Sequence, residues 1–252
     1  MNFGNEFEGK RVVVTGAAGV MGRALVDQFA AAGATVCASD LSVDGLPGFT
    51  VACDLTTDAG LDTLLSAVEE AWGAPDVVVN NAALYPSSFL LDMSIADWDR
   101  IMDLNVRAPM VLMRGFALQM IKQGVKGNFV NISSGAARKM RRTAVTYCMS
   151  KTALDRMSKG FALELAEFGI RVNCLEPGFA PGSAVSNLSQ EHIDRVTNAI
   201  PLKSQTTPED IGQAALYLAS SAAKNVTGTS LAVDGGNSAG TMDVFQEKKH
   251  PL

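Results

Sequence analysis

The chain is poor in the residues that build metal and redox centres. Its 252 residues include two histidines, His192 and His250, and four cysteines, Cys37, Cys53, Cys148 and Cys174. The cysteines form no C-x-x-C pair and the histidines lack ligand spacing, so no metal site is expected. Scattered single thiols are the usage of a reducing compartment, and the expected location is the cytoplasm. The opening "MNFGNEFEGKR" has no apolar signal core. No run approaches the roughly 18 apolar residues of a membrane span, so no membrane partner is expected. The net charge is -5, with no basic block, which argues against nucleic acid as a partner. There is no G-x-S-x-G elbow, which argues against a serine hydrolase. Internal repeats, low-complexity segments and Pro/Ser linkers are also missing.

What is present is an apolar chain, 47% hydrophobic and 19% charged, with material for a sizeable core. Strand-like runs ("RVVVT", "TVCASD", "FTVACD", "PDVVVN", "GNFVNIS", "IRVNCLEPG", "SLAVDGG") alternate with helical patterns. Helices are predicted near 20–32, 60–72 and 97–122, and over "AVTYCMSKTALDRMSKGFALELAEFG". Strands separated by helices require crossovers, hence an α/β fold with a parallel sheet covered on both faces. The long irregular region, about 177–190, reads as a functional lid or a mobile loop. The terminal "QEKKHPL" is polar and is expected to fray.

The first strand runs into Gly16, Gly19 and Gly22, spaced G-x-x-G-x-x-G. In a strand-to-helix turn, Gly16 permits the tight turn. Gly19 removes a side chain where a pyrophosphate would approach, and Gly22 allows close packing. The helix then offers free N–H groups and a positive dipole to phosphate. Asp40 ends the second strand eighteen residues beyond Gly22. A carboxylate there accepts from both adenosine ribose hydroxyls and repels a 2′-phosphate, which favours NAD over NADP.

In "TYCMSKTAL", Tyr147 and Lys151 stand at i and i+4, on one helix face. Ser134 lies thirteen positions before Tyr147; that spacing selects it over its neighbour Ser133. With the glycine turn, "NNAA" (80–83), "DLNV" (103–106), "IRVNCLEPG" (170–178) and "AVDGG" (232–236), this order resembles the compact branch of the short-chain dehydrogenase/reductase family. The resemblance spans roughly residues 10–237. It implies a Rossmann-like, doubly wound, three-layer α/β/α fold with seven parallel strands. One dinucleotide-binding domain would occupy 1–252, with 238–252 as a tail outside the core.

The resemblance also implies roles. Cofactor contacts fall on Gly16, Gly19, Val20, Met21, Gly22, Asp40, Asp54, Leu55, Asn81, Ala82, Tyr147, Lys151, Pro177 and Gly178. Oxidising an alcohol needs a base for its proton, and a free tyrosine, with a pKa of about 10, is a poor one. A neighbouring cation favours the phenolate. Tyr147 is thus the expected general acid/base, and Lys151 lowers its pKa and holds the nicotinamide ribose. Ser134 orients the substrate oxygen, and Asn105 holds a water in the proton relay. Two alternatives stand beside these roles: Asn105 satisfies backbone groups at a helix kink, and Asp54 is a turn aspartate.

The chain departs from the family pattern in places. Val20 replaces the middle glycine of the turn, and Ala83 stands where "NNAA" usually has glycine. Pro181 falls where a threonine is common, with Ser183 as a candidate substitute. Arg138, Lys139, Arg141 and Arg142 crowd the segment between Ser134 and Tyr147; either one of them meets an anionic substrate group, or the segment is a solvated loop or an oligomer contact. Expected substrate contacts are Ser134, Arg141, Arg142, Phe179 and Ser183. The expected activity is NAD-dependent hydride transfer with a small secondary alcohol or ketone. The rivals are a non-catalytic dinucleotide sensor and a nicotinamide-recycling epimerase or dehydratase. A homotetramer or homodimer is expected, through "ALYLASSAAKNVTGTSLAVDGG".

Overall fold

The computed structural model describes residues 3–181 and 188–240. In chain order the elements are β1 (Arg11–Thr15), α1 (Val20–Ala31), β2 (Thr35–Asp40), β3 (Phe49–Ala52), α2 (Asp58–Trp72), β4 (Val77–Asn80), α3 (Ile95–Met102), α4 (Ala108–Gln123), β5 (Asn128–Ile132), α5 (Val145–Leu165), β6 (Arg171–Pro177), α6 (Gln190–Ala199), α7 (Pro208–Ala219) and β7 (Ser230–Val233). The seven strands form one sheet in the order β3-β2-β1-β4-β5-β6-β7, every pair parallel. The order reverses between β1 and β4, and their C-terminal ends open the crevice where such sheets bind ligands.

Successive side chains of a strand point to opposite faces, so a run such as "VVV" serves two cores at once. Val13, Val78, Phe129 and Val172 face one helical layer with Leu64 of α2 and Phe116 of α4. Val12, Val14, Val77, Val79 and Val130 face the other, with Leu25 and Phe29 of α1 and Ile211 of α7. This double burial is why the strands read as continuous apolar runs.

The helix predicted near 97–122 is two helices, α3 and α4, joined by a π turn at Asp103–Arg107. Pro109 near the start of α4 has no N–H for the Asn105 carbonyl four residues back. A π turn keeps the chain helical, so an apolar period runs through it unmarked. Among the described residues, no helix is long and apolar enough to cross a membrane, and no group of histidine, cysteine and carboxylate residues is arranged to hold a metal.

Candidate active site

The glycine turn closes over the crevice as the spacing requires. Gly16 has φ +64°, and a Cβ there would lie 2.8 Å from the Ala82 Cα. A Cβ on Gly22 would lie 2.0 Å from the Gly16 carbonyl oxygen. Gly22 therefore closes the turn on itself. Above Gly19 there is room: a Cβ would meet only the Gly16 carbonyl oxygen, at 3.5 Å. Val20 begins α1 with its side chain half exposed, while Met21 packs at the edge of the core.

The turn is braced from both sides. Thr15 Oγ1 accepts from the backbone N–H groups of Asn81 and Ala82 at 3.0 and 3.1 Å. Asn81 Nδ2 donates to the carbonyls of Thr15 and Gly16 at 2.9 and 3.0 Å. Asp40 accepts from the Ala18 N–H at 2.8 Å and the Leu41 N–H at 2.7 Å. Each carboxylate oxygen keeps a further acceptor position. The start of α1 has no side-chain cap and no acidic residue in its first turn. By contrast, α2, α3 and α7 are capped by Thr57, Ser94 and Thr207. Open N–H groups beneath a side-chain-free approach at Gly19 fit a dinucleotide pyrophosphate.

Other candidate contacts sit around the same edge. Asp54 accepts from Thr56 N and Oγ1 at 2.9 and 2.7 Å. These bonds, the backbone one foremost, hold its carboxyl below the usual range, so Asp54 makes the turn-aspartate bonds. Leu55 is buried in the core, which leaves its main chain for a ligand. At the end of β6, Pro177 leads into Gly178, where a Cβ would lie 2.6 Å from both the Asp234 Cα and Thr206 Oγ1. The Phe179 carbonyl accepts from the Thr206 N–H at 2.9 Å. Ser183 lies outside the described residues.

Ser134, Tyr147 and Lys151 converge beside this crevice. Ser134 follows β5, and its Oγ accepts from the Ala136 N–H at 3.1 Å; its side chain counters the effect of burial on the Tyr147 phenol. Ser133 is instead buried beneath α5, 3.5 Å from the Lys151 carbonyl. Lys151 Nζ lies 5.9 Å from the centre of the Tyr147 ring and donates to the Ile132 carbonyl at 2.8 Å. Burial lowers the Lys151 ammonium pKa to about 8. Burial pushes the Tyr147 phenol up, opposed by the Ser134 hydrogen bond and the charge of Arg141. In this structure Ser134 and Arg141 are thus the groups that offset the burial of Tyr147.

Asn105 is fully buried in the π turn. Its Oδ1 accepts from the Leu84 N–H at 2.8 Å, and its Nδ2 donates to the Leu84 carbonyl at 2.8 Å and to Ser150 Oγ at 3.0 Å. Ser150 Oγ donates to the Tyr147 carbonyl at 2.8 Å. The amide therefore ties the exit of β4 to the first turn of α5. Sequence reasoning missed Tyr85, whose ring meets that of Tyr147 edge-on at 6.1 Å. No spacing rule links the two; they meet because the π turn and Asn105 fold the loop after β4 against α5.

Comparison with known proteins agrees with this geometry. A family model described as enoyl-(acyl carrier protein) reductase matches residues 16–238. Glucose 1-dehydrogenase 2 of Bacillus subtilis is 32% identical over 246 residues, covering 92% of this chain and 95% of the relative. A solved 4-hydroxyisoleucine dehydrogenase complexed with NADH superposes with a TM-score of 0.88 at 26% identity, over 92% of this chain and all of that one. A putative NAD(P)-dependent gluconate 5-dehydrogenase from Beutenbergia cavernae, with bound NADP, gives a TM-score of 0.86 at 32% identity, over 95% of this chain and 100% of that one.

Proposed function

The chain belongs to the short-chain dehydrogenase/reductase family and is an oxidoreductase of CH–OH groups; on that premise we propose that it transfers a hydride between a secondary alcohol, or its ketone, and NAD, with Tyr147 as general acid/base. The observation that carries this reading is the placing of the Tyr147 ring between Lys151 Nζ, 5.9 Å from its centre, and the Tyr85 ring, 6.1 Å away, at the start of the helix that follows Ser134. The bound nicotinamide supplies the hydride acceptor or donor.

The residues divide the rest of the work. Gly16, Gly19, Gly22 and the main chain of Val20 and Met21 hold the pyrophosphate at the open start of α1. Asp40 takes the adenosine ribose through its spare acceptor positions, while Asp54 and the main chain of Leu55 border the adenine. Asn81, Ala82, Pro177 and Gly178 frame the nicotinamide half. Ser134 orients the substrate oxygen, and Tyr147 takes its proton. Ser134 and the charge of Arg141 favour the phenolate against burial, and we assign Lys151, 5.9 Å from the ring centre, to add its charge to theirs once the cofactor is bound. Both N–H groups of the Asn105 amide are engaged, so it receives a relay water only at the second lone pair of Oδ1. Arg141, Arg142 and Phe179 border the substrate, and Ser183 stays a candidate contact.

Asp40 supports NAD, since its carboxylate repels a 2′-phosphate. The turn does carry one cation, Arg23, whose Nε donates to the Ala18 carbonyl at 3.1 Å, so NADP belongs in the same assay. We also assign the chain to the cytoplasm, as a single dinucleotide-binding domain that forms a homotetramer or homodimer. Its free thiols and the exposed Leu118 of α4 and Leu163 of α5 support that assignment.

Tyr147→Phe tests the reading. Turnover should fall by about a thousandfold or more, with NADH binding within about twofold of wild type. Retained turnover overturns Tyr147 as the base, and a wild type that binds NADH but turns over no alcohol favours the sensor. Turnover without net NADH formation favours the recycling epimerase or dehydratase.

A further inference from the structure

The four cations between Ser134 and Tyr147 are not equivalent. Arg138 donates from Nε to Glu176 Oε2 at 2.6 Å and from Nη2 to the Ser230 carbonyl at 3.2 Å. Lys139 donates to the Asn237 carbonyl at 3.1 Å. Both anchor the segment to β6 and to the turn after β7. Arg141 and Arg142 have no carboxylate partner among the described residues. Instead, the Arg142 guanidinium lies over the Phe89 ring, 5.3 Å from its centre.

Arg142 and Phe89 share a cleft of about 420 Å³ with Leu90, Leu91, Thr143 and Val145, and Asp92 stands in its lining. Phe89 and Leu90 are half exposed and Leu91 is 98% exposed. Three adjacent large apolar side chains in water mark a surface that something covers. Thr143 adopts φ +67°, a left-handed conformation unfavourable for a β-branched residue. Its carbonyl accepts from the Ser88 N–H at 2.8 Å, so the strained residue holds the Arg142 segment against the Phe89 loop. That loop begins at Tyr85, which touches Tyr147. The loop that lines the cleft therefore also reaches the phenol through Tyr85: Ser134 and Tyr147 offer hydrogen bonding, Phe89, Leu90 and Leu91 an apolar face, and Arg142 a guanidinium with no carboxylate partner among the described residues.

We propose that the substrate is an amphipathic hydroxy acid, or the keto acid in the reverse direction, whose carbinol at Tyr147 is separated by an apolar spacer along Phe89, Leu90 and Leu91 from a carboxylate held by Arg142. This rests on Tyr147 as the acid/base. In oxidation the carbinol C–H bond breaks with its electron pair passing to NAD, the O–H proton passes to the Tyr147 phenolate, and the C=O bond forms. The carboxylate is unchanged and serves to position the chain.

The test measures kcat/KM for NADH formation on 3-hydroxybutanoate, 4-hydroxypentanoate, 5-hydroxyhexanoate and 7-hydroxyoctanoate, each beside its methyl ester. Wild type should favour the acids by about tenfold or more, the worth of a charge-assisted hydrogen bond. The value should rise up to about fourfold per methylene as the spacer covers apolar surface. Arg142→Gln should lose about tenfold more on the acids than on the esters, and Arg142→Lys should recover part of that loss. Leu90→Ser with Leu91→Ser should flatten the dependence on chain length. Equal rates on acids and esters, or equal losses in Arg142→Gln, overturn the proposal. So does a leucine double variant that changes the sedimentation mass but not the chain-length slope, because the surface is then an interface between copies. Tyr147→Phe, run alongside, separates the failures: if it abolishes turnover on every substrate while Arg142→Gln is indifferent to the carboxylate, only the substrate class falls.

Discussion

The two edges of the parallel sheet use the same strands and spend their polar groups in opposite ways. At the edge where the strands begin, Asp76 accepts from the Arg11 backbone N–H at 3.0 Å and from Arg11 Nε at 2.9 Å. Arg11 Nη1 donates to the Trp72 carbonyl at 2.7 Å, and Arg171 Nη1 to the Val226 carbonyl at 3.0 Å. Each bond ties one element to another. Burial pushes the Asp76 carboxyl up, but the hydrogen bonds and charge of Arg11 outweigh it and hold the carboxyl below its usual range. At the edge where the strands end, a buried lysine has no carboxylate partner among the described residues, burial pushes a partly exposed phenol up, and one helix starts without a side-chain cap. The first edge satisfies its charges and stabilises the fold. The second leaves Lys151 with a carbonyl in place of a carboxylate and the start of α1 uncapped, the pattern expected where stability is given up for function.

The strongest way to break this contrast is at the turn. Gly22→Ala must displace the Gly16 carbonyl and should weaken NADH binding about a hundredfold, with a stability loss of about 1–3 kcal/mol from overpacking. Gly19→Ala meets only ordinary contact and should leave the unfolding midpoint unchanged while weakening NADH binding about tenfold. Equal thermal shifts in the two variants would contradict the division of labour between these glycines.

Lys151→Met comes next. The ammonium has a folded-state pKa of about 8, below its unfolded value. Below pH 8 the lysine is charged in both states, and burial costs the folded one. Between pH 8 and the unfolded value the unfolded chain binds more protons, so stability rises with pH. The methionine variant, without cofactor, should therefore be more stable than wild type at pH 7 by about 3 kcal/mol, with the gap closing toward pH 10. Urea titrations that give a pH-independent gap would remove burial as its cause.

At the opposite edge, Asp76→Asn should lose about 1–2 kcal/mol at pH 7 and keep kcat/KM. The depressed carboxyl contributes fully above its unfolded pKa, so the loss should shrink as pH falls through its folded value. A changed kcat/KM would break the separation of the edges. The smallest effect is expected at Thr207→Ala. It removes the capping box on α7, in which Asp210 Oδ2 accepts from the Thr207 N–H at 2.9 Å, and should cost about 1 kcal/mol without altering NADH affinity. An altered affinity would show that the capped helix start also serves the ligand.

Much of this was legible because it is local. The glycines of the turn, the strand-end position of Asp40 and the spacing of Ser134, Tyr147 and Lys151 depend on short-range geometry that a linear pattern records. The π turn was not legible, since it leaves helical periodicity intact, and with it went the buried bonding of Asn105 to Leu84 and Ser150. Nor was the sorting of the basic segment. Four neighbouring cations look alike in sequence, and only the approach of Glu176 to Arg138, across 38 positions, and of Asn237 to Lys139, across 98, separates the anchors from the two arginines that have no carboxylate partner among the described residues.

The sequence by itself determined the α/β alternation, the parallel sheet and the residues of the glycine turn, because backbone preference and apolar period act over a few residues. The tertiary structure alone decided which polar groups are paired. It buried Lys151 against a carbonyl, set Tyr85 on Tyr147 and left Arg142 over Phe89. Pairing and desolvation depend on what segments distant in the chain bring within a few ångströms, and no local pattern carries that distance.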